Sequence, residues 1–154
     1  MPTALEKLFG VPFSRAGQRA AIESHLRFRA AFDLRATLSE NISHITQKSG
    51  ALLAAQAIFI VVDTYGIDHG WPRLAVLVSI VALVISALLV MMNLRSVYMD
   101  APSTTDDPAE LEMEALLLMA RLAGHRGARF NLALYLTFLS VILMGFGAFE
   151  AASG

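Results

Sequence analysis

Side chains that ionise, ligate metals or attack carbon are sparse in this chain. It has four histidines and no cysteine, so disulfides and thiolate metal sites are excluded. His25, His44 and His125 lie in charged segments and His69 in a short loop. No H-E-x-x-H run and no Glu-x-x-His pair occurs, so a helix-borne metal site lacks its usual spacing. Asp106, Asp107, Glu110, Glu112 and Glu114 form an acidic cluster. It suits a cation, or more simply a solvated helix start whose charges complement the helix dipole. There is no glycine-rich phosphate loop. Basic residues in the N-terminal segment suit a nucleotide or anionic lipid, although membrane orientation also accounts for them. No catalytic constellation emerges, so the expectation is a protein that is not an enzyme, holds no cofactor and binds no nucleic acid.

The remaining polar residues sit inside apolar runs. Ala75, Ser79, Ala82, Ser86 and Asn93 are spaced 4, 3, 4 and 7 apart, which places them on one helix face. Small residues let helices approach closely, and serine and asparagine bond across the contact. Gly50, Ala54 and Ala57 lie near Gln56 in an earlier run, and Ser140, Gly147 and Ala151 lie in a later one. Gln56, Ser79, Ser86 and Asn93 are therefore the candidate site residues, with two readings open: helix packing or the lining of a pore. No charge is expected deep in any apolar run, which argues against a proton pump or charge-coupled transporter.

These residues need apolar helices to carry them. Of 154 residues, 56% are hydrophobic and only 16% charged, whereas soluble domains carry about 25% charged residues. Leu74–Asn93 is 20 residues without a charge, bracketed by Arg73 and Arg95, with Trp71 and Tyr98 just outside. Such a run crosses a bilayer core. Residues 130–149 form a second uncharged run of the same length, between Arg129 and Glu150. A third candidate, 49–65, is shorter: its 17 residues make about 25 Å of helix. A buried helix of a soluble protein is the alternative for that run alone. The fold class is thus an all-α integral membrane protein with three transmembrane helices plus two amphipathic cytoplasmic helices.

Eleven of the twelve Lys and Arg residues fall before the first span or between the second and third. Only Arg73 lies in the loop between the first two, so the N-terminus is expected in the cytoplasm and the C-terminus outside. A strongly apolar run begins only near residue 49, so no cleaved signal peptide is expected. DTYGIDHGWPR reads as a tight external turn with Gly66, Gly70 and Pro72.

Residues 1–48 form the N-terminal cytoplasmic segment and 49–154 the membrane domain. Residues 1–14 read as irregular, with LFGVPF touching lipid or a partner. Residues 15–48 read as one helix with Ala31, Leu34, Leu38, Ile42 and Ile45 on its apolar face, and with Glu23–Arg27 and Glu40–His44 neighbours at i,i+4. It either continues into the first span or kinks at Ser49-Gly50. A mobile loop over 103–107 precedes a second helix over about 108–123. That helix is opened by Asp107 as N-cap, Pro108 and Glu110, and its apolar face is Leu111, Ala115, Leu118 and Leu122. Gly124 and Gly127 are expected to interrupt it. Two apolar stripes in water call for pairing, with each other or with further copies.

This order of elements, with HITQKSGALLAAQ placing Lys48 before the first span and MARLAGHRGARFNLALYL leading into the third, resembles the small membrane effectors of bacterial anti-phage signalling, of the Pycsar transmembrane type. The resemblance covers roughly residues 35–150. It implies a nucleotide-triggered protein that compromises the inner membrane, and no functional residue is carried over from it. The expectation is a non-enzymatic protein of the bacterial inner membrane that self-associates as a pore-forming or membrane-disrupting effector. An accessory subunit of a larger membrane complex is the alternative. Expected partners are the lipid bilayer, further copies or a larger complex, and a nucleotide as candidate ligand.

Overall fold

The structure is a computed structural model that describes residues 15–26, 31–95 and 107–153. Among them are four helices: α1 (Arg15–Leu26), α2 (Ala31–Asp68), α3 (Arg73–Leu94) and α4 (Pro108–Ser153). The chain is all-α, and α2, α3 and α4 are each long and apolar enough to cross a membrane. The expectations for residues 1–14, for Arg27 as partner of Glu23 and for the loop over 103–106 fall outside the described residues. So does the continuity of the first helix across 27–30.

The chain divides into two compact units, one of Met1–Ile45 with Ser96–Ala128 and one of Thr46–Arg95 with Arg129–Gly154. The first unit is built around Ile22, Leu116 and Leu117, with Leu26, Leu34, Leu38, Met113 and Ala120 packed against them. Leu34 and Leu38 take the place expected of them. On α4 Met113, Leu116, Leu117 and Ala120 pack there; of the expected face, Ala115, Leu118 and Leu122 are half-buried and Leu111 is exposed. Leucines at 116, 117 and 118 satisfy helical spacing on either of two adjacent faces. Periodicity alone cannot choose between them; the position of Ile22 does. On the outer surface Arg19 pairs with Glu23 at 3.0 Å, and His44 lies 3.4 Å from Glu40.

Helix α4 starts as its sequence dictates. The Ala109 amide donates to Asp107 Oδ1 at 3.0 Å, the bond of an N-cap to the second helical residue. The helix does not stop at Gly124 or Gly127 but continues to Ser153. Glycine costs a helix only about 1 kcal/mol relative to alanine, and strong helix formers flank both positions. A methyl group on Gly127 would touch Ile45 at 3.9 Å, so the helix side there is contact surface. Helix α2 likewise runs unbroken through Ser49 and Gly50.

At its other end α2 passes the expected limit of Tyr65 and reaches Asp68. Gly66 is therefore helical rather than part of the turn. The turn is made by Gly70, at φ +80°, with the Trp71 amide donating to the Gly66 carbonyl at 3.0 Å. This is the six-to-one bond of a Schellman stop, in which the residue after the left-handed glycine packs on the last turn. Here the Trp71 indole lies directly over Gly66, and any side chain at 66 would collide with the ring.

Candidate functional site

The second unit is a three-helix bundle with polar side chains inside it. Ser49, Gln56 and Asp63 on α2, and Ser79, Ser86 and Asn93 on α3, are all buried, as are Thr137 and Ser140 on α4. Each trio repeats every seven residues. Seven residues turn a straight helix to within about 20° of two full turns, so each trio lines one face.

The register is antiparallel between α2 and α3, since Gln56 meets Ser86 and Asp63 meets Ser79. Both contacts sit in layers separated by about 10 Å along the axis. In the middle layer the Gln56 amide donates to Ser86 Oγ at 2.6 Å and to Thr137 Oγ1 at 3.0 Å. Both hydroxyls in turn donate to the Ala133 carbonyl, at 2.6 and 2.9 Å. The two amide hydrogens and two hydroxyl hydrogens are thus all placed. One glutamine clamps three helices. In the next layer Ser79 Oγ donates to Asp63 Oδ2 at 2.5 Å and lies 2.6 Å from Ser140 Oγ. Ser49 and Asn93 are level with each other in the same register. Fully buried Leu83 and Val90 on α3 occupy the levels between the polar ones.

All four candidate residues, Gln56, Ser79, Ser86 and Asn93, therefore face the interior of a single chain's bundle, with Ala82 beside them and Ala75 partly buried. The small residues expected near Gln56 do not join them, because Gly50, Ala54 and Ala57 are exposed. In the third run Ser140 and Gly147 are buried, whereas Ala151 is exposed. The seven-residue repeat of Ser49, Gln56 and Asp63, read against that of Ser79, Ser86 and Asn93, is the sequence signal that marks the true face.

One ionisable side chain does enter the bundle. Asp63 is fully buried, near the C-terminal end of 49–65. The reason it reads as a boundary is that Thr64, Tyr65 and Asp68 follow it, and all three are exposed. The helix simply turns Asp63 inward and its neighbours outward.

Over 51–62, 74–92 and 132–149 every exposed residue is apolar apart from Tyr135. Among the described residues no three of His, Asp and Glu come together as metal ligands. Three long apolar helices with an apolar outer surface and hydrogen-bonded polar layers support one class: an all-α, multi-pass membrane protein. No protein-family model, curated protein or solved structure matches the chain.

Proposed function

We propose that the chain is a non-enzymatic protein of a bacterial inner membrane, N-terminus in the cytoplasm, acting as an accessory subunit of a larger membrane assembly. The supporting observation is the direction of its polar side chains. Gln56, Ser79, Ser86 and Asn93 are buried in the chain's own bundle, and the surface left for neighbours is apolar. A path lined between copies of a bundle needs polar groups on its outside. An apolar exterior with a polar, internally bonded interior suits a unit that stands in lipid or packs against other spans.

A second reading is a self-associating effector that disrupts the membrane on a nucleotide signal. Two fully buried oxygens favour it, Gln56 Oε1 and Asp63 Oδ1, neither of which has a hydrogen-bond partner among the described residues. Buried unpaired acceptors destabilise the packed state and suit a bundle that opens. Purification of the chain alone separates the two readings. An accessory subunit runs as a monomer in detergent and releases no dye or ions from liposomes. Stable oligomers together with flux would establish the effector. Orientation is tested by single cysteines at Asp68 and Glu110, both exposed: an impermeant thiol reagent applied to intact cells should label the first and spare the second.

A further inference from the structure

The carboxyl of Asp63 is a charge-bearing group for which a packing role gives no account. Its side chain is fully buried in the bundle. Oδ2 receives one serine hydroxyl, and Oδ1 has no partner among the described residues. No basic side chain pairs with it there. Along α3, residues 74–93 contain no titratable group, and along 130–149 of α4 the only one is Tyr135; it is exposed, as are Arg73 and Glu150 at the ends of those stretches nearest Asp63. On its own helix Tyr65 and Asp68 are exposed, as is His69 just beyond. An ionised carboxylate with one neutral donor and no counter-ion, held in a low-dielectric interior, is among the costliest groups a protein can bury.

We propose that Asp63, Ser79 and Ser140 form an intramembrane proton-binding site. The hydroxyl chain runs in two directions. With Asp63 ionised, Ser140 donates to Ser79 and Ser79 donates to Oδ2, which leaves a bare charge on Oδ1. With a proton on Oδ2 the chain reverses: Asp63 donates to Ser79, Ser79 to Ser140, and Ser140 to the Met144 sulfur 3.9 Å away. That direction places every hydrogen on an acceptor and leaves no net charge in the bundle. The proton comes from water at the end of the bundle closed by Trp71. Its indole lies over Gly66, three residues beyond Asp63, and 3.1 Å from where a Cβ on Gly147 would sit, seven beyond Ser140. Trp71 thus separates the acid from the aqueous side by about one helical turn. The site stands independently of the accessory-subunit reading, because it concerns one chain.

Infrared spectroscopy of the purified full-length chain in lipid bilayers tests the site. At neutral pH wild type should show the carbonyl stretch of a protonated carboxylic acid, and the Asp63 variants assign it. Asp63→Asn should abolish that band, Asp63→Glu should retain it, and Ser79→Ala should shift it by removing its hydrogen-bond partner. Trp71→Ala should speed the band's exchange in deuterated water. Helical circular dichroism, unchanged across the set, establishes folding. Absence of the band in folded wild type overturns the proposal, as does a band that survives Asp63→Asn. A Trp71→Ala exchange rate equal to that of wild type overturns the assigned route of entry.

Discussion

The two units of this chain are built from opposite materials. The interior of the first is Ile22, Leu116 and Leu117. The interior of the second includes Ser, Gln, Asp, Asn and Thr, while its outside is Ile, Leu, Val and Phe. With the first unit in water and the second in lipid, as proposed, the contrast has a single physical origin. Removal of apolar surface from water drives the first unit together. Lipid chains are as apolar as leucine, so that drive is absent between spans, and packing and interhelical hydrogen bonds take over. A polar group in lipid finds its partner inside the bundle or leaves its hydrogen bonds unmade.

The largest expected effect breaks the first unit. Leu116→Ala removes a buried side chain from a small core and should destabilise it by about 2–5 kcal/mol, the usual range for such truncations. Hydrogen exchange at α1 amides should rise while exchange over 74–93 stays slow. Leu83→Ala makes the matching cavity in the second unit. There the lost contacts count but the transfer from water does not, so reversible unfolding in bicelles should show a smaller loss than Leu116→Ala. Equal losses would remove the distinction between the units.

Gln56→Leu takes the clamp from the middle layer. Ser86 and Thr137 keep their bonds to the Ala133 carbonyl, so the cost should be about 0.6–2 kcal/mol in the same unfolding assay, the range for interhelical bonds in membranes. Removal of the cap by Asp107→Ala should cost the start of α4 about 1 kcal/mol, read as faster amide exchange at Ala109 and its neighbours. The smallest effect belongs to Leu111→Ser. Leu111 lies outside the core, so stability should change by less than about 0.5 kcal/mol. A large loss would mean that the face of α4 expected from periodicity packs after all.

Some of this was legible without coordinates. The three apolar runs stand out because crossing a membrane demands length and lack of charge, both properties of a continuous stretch. The start of α4 was legible because a cap bonds within its own helix: Asp107 Oδ1 accepts from the Ala109 amide two residues on. The ends of α2 and the unbroken course of α4 were not. Gly66 reads as a turn residue until Trp71 is seen lying on it, and Gly124 and Gly127 read as breaks until the helix around them is seen to continue.

The sequence by itself determined which segments are helical and apolar, because those properties arise from neighbours along the chain. It also contained the seven-residue polar repeat on α3. Only the tertiary structure decided that Asp63 faces inward although Thr64 and Tyr65 face out, that Gln56 reaches Ser86 and Thr137, and that Leu116 rather than Leu111 enters a core. Each of those outcomes depends on which helix lies opposite. Rotation of a helix by one residue, about 100°, exchanges a buried face for an exposed one, and periodicity leaves that angle open until a partner helix supplies the contact.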